Sequence, residues 1–237
     1  MSLLTTVRAA CDRLGIVRPT TVVGSSDQQA RQLLGLAQQE VSELGRRHPW
    51  QVLIKEKTFT ATATETQSGA LATDLDRFIN GTFFNRDNHR FVQGPLEAHE
   101  WQSYKASTST VIFDAFRVRG ASLLMAPTPS AGVTYAYEYV SKYWIATSDN
   151  PTTGAQEDWQ VDSDIALISE ELVTLGVVWR FLKAKGLDYG EAFRTYEAQV
   201  MLAMTRDTPR RTVSLAKASD YRRARRPTWP DGSWNIS

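Results

Sequence analysis

The sequence is poor in cysteine, since its 237 residues include only Cys11. A single cysteine excludes an intramolecular disulfide framework and the CxxC pairs of metal or redox sites. Uninterrupted apolar runs of about 18 residues are also missing, which excludes a typical transmembrane helix. The first residues lack a basic stretch followed by an apolar one, so we expect no secretory signal peptide.

An excess of charge of one sign is lacking too, because 27 Lys and Arg face 26 Asp and Glu and the net charge is +1. With 42% apolar residues, this composition excludes a wholly disordered chain. The balance conceals an asymmetry: residues 206–237 carry eight basic and three acidic side chains, a charge of +5, which leaves −4 on the preceding body. A cationic tail on an acidic body favours contact with another surface.

Residues with catalytic or metal-binding chemistry do not form a known pattern. The three histidines lack the close spacing of a zinc site. Three aspartates near a helix start do not fit an EF-hand loop, so helix capping is the favoured interpretation. We therefore predict no enzymatic activity, no cofactor and no metal. The residues considered are His48, His89, His99, Asp158, Asp162 and Asp164.

Four segments have the apolar spacing of amphipathic helices. The first covers residues 3–14, and the second begins with a Ser25–Gln28 capping box and ends near His48. In the second helix Glu40 and Glu43 are expected to lie off the apolar stripe. The third helix is predicted to begin at Asp162 and the fourth follows Gly186. The expected pairing is between helices close in sequence.

The middle of the chain favours strands. Residues 51–64 are rich in β-branched and aromatic residues, and three further runs between Phe113 and Val140 predict an antiparallel meander. Tyr135, Tyr137 and Tyr139 alternate onto one face of the last strand. We expect them in a protein core, although such a row could also stack on ligands, sugars or bases.

These elements predict an α+β fold. The expected arrangement is a discontinuous antiparallel helical bundle with an inserted antiparallel β-rich region and an extended C-terminal arm. Residues 1–50 would supply the N-terminal helical pair and 51–160 the insert. Residues 161–206 would supply the C-terminal pair, and 207–237 the basic docking arm.

The arm is the strongest functional signal, because it combines cationic and aromatic residues with no apolar periodicity. Such a segment can bind phosphates and stack on bases, or it can dock on an acidic protein surface. Both alternatives remain open from composition alone. The predicted partner-binding residues are Arg206, Arg210, Arg211, Lys217, Tyr221, Arg222, Arg223, Arg225, Arg226, Trp229 and Trp234.

Several motifs, in their order and spacing over residues 2–205, resemble the head-to-tail adaptor proteins of short-tailed phages, also called connector or head-completion proteins. Each motif alone is only moderately specific. The motifs are Thr20–Asp27, Leu33-Leu34, Glu43-Leu44, Arg47–Gln51, Gly94–Leu96, Trp101, Phe116–Gly120, Tyr137–Lys142, Asp162–Arg180 and Lys183–Tyr189.

The resemblance implies a structural virion protein, made in the host cytoplasm and placed at the head–tail junction. A dodecameric ring would form beneath the portal protein, extend the DNA channel and seat the tail nozzle or fibres. The arm would climb onto the portal and the β-rich insert would point towards the tail. The implied partners are portal, tail protein and further copies of the chain, with non-specific DNA contact in the channel and no membrane. The main alternative is a nucleic-acid-binding module; a wall hydrolase is a third.

Overall fold

The computed structural model describes residues 2–106, 113–150 and 152–208, and the chain up to Asp207 forms one compact unit. Within these ranges, no helix combines the length and apolarity that a bilayer crossing requires. A short 3₁₀ turn, Gln51–Leu53, leads from the second helix into the first strand. The α-helices are α1 Leu3–Leu14, α2 Gln28–Arg47, α3 Ala98–Ala106, α4 Glu170–Ala184 and α5 Gly190–Asp207.

The strands of the described chain form antiparallel sheets, as an α+β fold requires. A five-stranded sheet has the order β1-β8-β4-β5, with β3 also paired to β8. A three-stranded sheet has the order β2-β7-β6, and β9 pairs with β10. The strands are β1 Ile54–Thr60, β2 Thr66–Gln67, β3 Leu75–Phe78, β4 Phe84–Asn85, β5 Arg90–Phe91, β6 Ala115–Arg119, β7 Ser122–Ala126, β8 Thr134–Ser141, β9 Ile145–Ala146 and β10 Ile165–Ala166.

The predicted meander is wrong in one connection. Strands β6 and β7 form the expected hairpin, but β7 pairs on its other side with β2 rather than with β8. Strand β8 instead pairs along its length with β1, from Ile54 opposite Val140 to Thr60 opposite Thr134. The reason is packing, because Leu123 of β7 shares a buried cluster with the β8 tyrosines. The two sheets therefore face each other across a core instead of continuing edge to edge.

Helix α2 begins at a different cap from the predicted one. Asp27, not Ser25, is the N-cap, and its carboxylate accepts hydrogen bonds from the backbone N–H groups of Gln29 and Ala30. Ser25 accepts instead from the N–H of Asp27. A carboxylate also interacts favourably with the positive end of the helix dipole, which explains why Asp27 takes the cap position.

Helix α4 begins at Glu170, so the prediction that it starts at Asp162 is wrong. The carboxylate of Asp162 accepts hydrogen bonds from the N–H groups of Val22 and Val23 in a distant loop. Asp164 accepts from the N–H groups of two nearby residues in its own turn. These bonds hold the acidic segment in a turn and in strand β10, because short acidic side chains compete with helix formation for backbone N–H groups.

Helix α4 occupies the centre of the helical part of the molecule and contacts α1, α2 and α5. Nine of its fifteen residues are buried, and they include Val173, Val177 and Phe181. The same aliphatic cluster takes in Leu3 and Val7 of α1. By contrast, α5 buries only two of its eighteen residues, so it lies against this core as a surface helix.

Candidate assembly site

The only predicted partner-binding residue within the described ranges is Arg206, which lies exposed in the last turn of α5. The compact unit ends one residue later, at Asp207. The other predicted positions lie outside the described residues: Arg210, Arg211, Lys217, Tyr221, Arg222, Arg223, Arg225, Arg226, Trp229 and Trp234.

The end of α5 is attached to the junction between α2 and β1. The carboxylate of Asp207 accepts a 2.9 Å hydrogen bond from the backbone N–H of Gln51, and it lies 3.3 Å from Nε2 of His48. The His48 ring in turn packs edge-on against Trp50, with 5.0 Å between ring centres. The C-terminal end of α5 is therefore fixed on the body.

A second attachment of α5 joins the side chains of Arg47 and Glu197. The guanidinium donates two hydrogen bonds to the two carboxylate oxygens, one of them 2.7 Å long. Both side chains are about a quarter exposed, at 29% and 23%. Hydrogen bonding to Arg47 lowers the pKa of Glu197 below its usual value, and the same pairing raises the pKa of Arg47. This fork geometry is the most specific form of a carboxylate–arginine pair.

A third attachment is a buried polar network that connects three helices. Glu40 of α2 is 0% exposed. Its Oε2 accepts a 2.6 Å bond from Nε of Arg180 in α4, and its Oε1 accepts a 2.5 Å bond from the hydroxyl of Tyr196 in α5. Arg180 also donates to Glu43, at 2.7 Å. The network therefore fixes the positions of α2, α4 and α5 relative to one another.

Burial governs the ionisation of this network. Loss of hydration raises the pKa of Glu40, although the bonds from Tyr196 and Arg180 oppose that shift. Burial and the nearby Glu40 charge raise the pKa of Tyr196, which keeps its hydroxyl protonated as a donor. Burial alone would lower the pKa of Arg180, but its pairing with Glu40 and Glu43 raises it. The polar groups satisfy one another, which indicates a structural role.

The position of Glu40 corrects the expectation that this residue lies off the apolar stripe. The spacing contained the signal: Glu40 follows Leu33 by seven residues, follows Ala37 by three and precedes Leu44 by four. These separations place it on the same helical face as the core residues. Glycine at position 176 of α4 makes room for it, since a Cβ there would lie 2.0 Å from the Glu40 carboxyl carbon.

The tyrosine row of β8 lies in the core, as expected. Tyr135, Tyr137 and Tyr139 are each at most 5% exposed. The hydroxyl of Tyr139 donates to Asp74 at 2.8 Å, and that of Tyr137 donates to the carbonyl of Ala70 at 2.8 Å. These rings are therefore covered by protein and are not available to stack on a ligand.

The side of α5 that points away from the core carries apolar residues in its C-terminal half. Met201 is 61% exposed and Leu202 is 41% exposed. With the exposed Ala198 and Thr205 they recur at helical spacing, and we call these four residues the α5 outer patch. Exposed apolar residues grouped in this way are characteristic of interaction surfaces.

The described residues thus form a compact body with a largely exposed last helix, and a cationic segment follows Arg206 in the sequence. A protein-family model described as SU10 adaptor protein matches residues 1–227. The chain belongs to this adaptor family. SU10 adaptors are structural phage proteins, are not known as enzymes, and are virion components that associate with portal and tail components. The resemblance to head-to-tail adaptors is thereby confirmed. No curated protein matches the chain.

Proposed function

We propose that this SU10 adaptor forms a dodecameric ring beneath the portal protein, extends the DNA channel and seats the tail nozzle or fibres. The observation that carries the proposal is the family match over residues 1–227, together with a body whose last helix leads directly into a cationic segment. A ring of identical copies needs two different faces that match, and the surface helix α5 can provide one of them.

The helical part is suited to form the wall of such a ring. In this proposal one closed bundle contains the helices α1, α2, α4 and α5, with α4 at its centre. The polar network of Glu40 holds α2, α4 and α5 together in this bundle. The sheets would project from this wall towards the tail. Their core is separate from the helical core, which supports a division between a ring-forming part and a tail-facing part.

The C-terminal arm, residues 207–237, is proposed to dock on an acidic surface of the portal. Arginine and tryptophan dominate the affinity of protein interfaces, and the arm contains Trp229, Trp234 and six arginines. A polar segment of this kind contributes binding only when it orders on a partner. Asp207 would define the direction from which the arm starts, through its bonds to the α2–β1 junction.

Deletion of residues 208–237 tests the docking arm and leaves Asp207 in place. The truncated chain should keep its fold, because the compact unit ends at Asp207. We expect it to lose binding to portal rings of the same phage, as seen by co-sedimentation and negative-stain microscopy. The matched control is the full chain with Arg31→Ala, which removes an exposed arginine from the body instead. Normal binding by the truncated chain would refute the role of the arm.

The +5 charge of the tail also favours a second function, in which it binds packaged or transiting DNA. The salt dependence of the affinity distinguishes DNA binding from docking on the portal. Six to ten phosphate contacts would reduce DNA affinity by about 10³–10⁵ between 50 and 200 mM salt, whatever the DNA sequence. A portal dock anchored by Trp229 and Trp234 should weaken much less over this range. Binding to portal that falls as steeply as binding to duplex DNA would favour the nucleic-acid module.

A further inference from the structure

We propose that the α5 outer patch of one copy binds, on a second copy of this chain, a groove between α1 and the segment that leads into α4. The proposal identifies the two faces of the ring contact and rests on the proposed ring. Both surfaces are formed by residues of the compact body only.

The patch is built to remain on the outside. Tyr196 and Val200 direct the opposite side of α5 towards the core, and they are the two residues that α5 buries. The Arg47–Glu197 pair and the Tyr196–Glu40 hydrogen bond then hold the helix in this rotation. Met201 and Leu202 are thus kept in solvent, although burying such side chains would be favourable.

The groove lies on another side of the molecule. It is open, has a volume of about 600 Å³, and is lined by Thr6, Ala9 and Arg13 of α1 on one wall. The other wall is the segment from Ile165 to Glu171, with Thr174 beyond it. Its lining includes the half-buried Ile165, which apolar side chains placed in the depression can contact.

The patch and the groove cannot come together within one copy. On α4, Thr174 borders the groove, whereas Trp179 contacts Phe193 and Tyr196 of α5. Five residues of helix separate these α4 positions, a rotation of about 140° at 3.6 residues per turn. The two surfaces therefore face in different directions around α4. A contact between them joins the copies head to tail, which is the kind of contact that closes a ring.

Charge is complementary across the proposed contact. Arg206 follows Leu202 of the patch by four residues, and Arg194, which lies 4.0 Å from Glu191, precedes Ala198 by four. The α4 wall of the groove carries Glu170 and Glu171 in the first helical turn. Rim charges of opposite sign increase the rate and the specificity of association. A patch with a cation at each end thus fits the acidic α4 wall of the groove, with Arg13 on the opposite, α1 wall.

The decisive experiment is cross-linking on portal rings. The full chain with Ala9→Cys and Met201→Cys is assembled on portal rings of the same phage and treated with a short bis-maleimide. Each copy then supplies both halves of the contact, so a ladder of multimers is expected. A mixture of the two single variants should give dimers only. Because Cys11 is buried, the unsubstituted chain serves as the background control.

A second measurement tests the patch by introducing negative charges into it. Met201→Glu combined with Leu202→Glu should reduce the number of portal rings that carry a closed adaptor ring by about tenfold or more, because two interface anchors become charged. The matched control is Gln199→Glu, an exposed position of the same helix outside the patch. Since the arm is intact, the variant should still bind portal as separate copies.

The outcomes distinguish this contact from the proposed function. If rings form but the cross-linker gives no ladder of multimers, the proposed contact is refuted and the proposed ring is not. The same holds if rings form normally when Met201 and Leu202 are both replaced by glutamate. If the glutamate variant no longer binds portal at all, the patch is a portal surface and the inference is wrong. If the unsubstituted chain forms no ring on portal, both proposals fail.

Discussion

Helices α4 and α5 follow one another in the chain but are held in the molecule by different forces. Helix α4 buries nine of fifteen residues and contacts three other helices. Helix α5 buries two of eighteen, packs with Phe193 and Tyr196 against Trp179 of α4, and is further attached by a few directed polar contacts. The difference indicates that α4 stabilises the body, whereas α5 lies on its surface with most of its residues exposed.

The largest expected effect comes from removing the cation of the buried network in α4. Arg180→Met leaves Glu40 without its charged partner in a fully buried position. Breaking a buried pair by removing one partner costs about 3–5 kcal/mol of the free energy of unfolding. Urea denaturation at pH 7, monitored by tryptophan fluorescence, measures this loss in the free energy of unfolding.

The matched control for this substitution is the double variant Arg180→Met with Glu40→Gln. Without either charge, most of the lost stability should return, because a neutral amide costs less to bury than an unpaired carboxylate. The single variant should also lose less stability at acidic pH, where Glu40 can take up a proton. If the single and double variants had equal free energies of unfolding at every pH, the unpaired charge of Glu40 would not be the cause of the lost stability.

An intermediate effect is expected where α4 accommodates α2. Gly176→Ala places a methyl group 2.0 Å from the carboxyl carbon of Glu40, which is held by Arg180 and Tyr196 and cannot move freely. Overpacking of this kind costs about 1–3 kcal/mol. Gly35→Ala in α2 is the control, since nothing lies within 4 Å of its added Cβ.

The two glycine variants should differ in sign. Replacing a helical glycine with alanine stabilises by about 0.5–1 kcal/mol where space allows, so Gly35→Ala should raise the urea midpoint while Gly176→Ala lowers it. Equal and favourable shifts would mean that the close approach of α2 to α4 is looser than the distances indicate.

The smallest effect is expected at the attachment of α5. Glu197→Gln removes the charged half of the pair with Arg47 and should cost about 0.5–1 kcal/mol, as partly exposed pairs do. The pKa of Glu197 is lowered in the folded protein, so its stabilisation is present above the ordinary value of 4.5 and is lost as pH falls through the folded value.

The pH dependence identifies the cause of this small effect. The stability difference between the original chain and Glu197→Gln should be constant from pH 7 to about 5 and disappear at lower pH. Glu191→Gln is a suitable control, because the Glu191 side chain is 87% exposed near the start of the same helix and its contact with Arg194 is long, at 4.0 Å. A difference that persists unchanged at pH 3 would exclude the charge as its source.

Much of the fold follows from local signals, and the errors have a common origin. Helix α1, the end of α2 near His48 and the hairpin of β6 and β7 were predictable, because caps, prolines and short turns act within a few residues. The partner of β8 and the start of α4 were not. Strand β1 is distant in sequence from β8, and Asp162 binds a loop about 140 residues away.

The candidate site also has one part that the sequence predicts and another part that depends on the tertiary structure. Composition alone identified the cationic arm, and Arg206 is where the described helix leads into it. The apolar row of this helix, with Tyr196 and Val200 in it, leaves Met201 and Leu202 outside it, but these two are apolar residue types that are usually buried. Only the observation that Tyr196 and Val200 face the core shows that these two residues face solvent.

The sequence by itself determined the absence of a disulfide framework, the helical and β-rich segments, and the asymmetry of charge between body and arm. These properties depend on residue types and short-range spacing. Tertiary structure decided which strands pair, which side of α5 is exposed, and that Glu40 is a buried partner of Arg180 and Tyr196. The physical reason is that burial and long-range pairing depend on which elements meet, and neighbouring residues alone do not specify this.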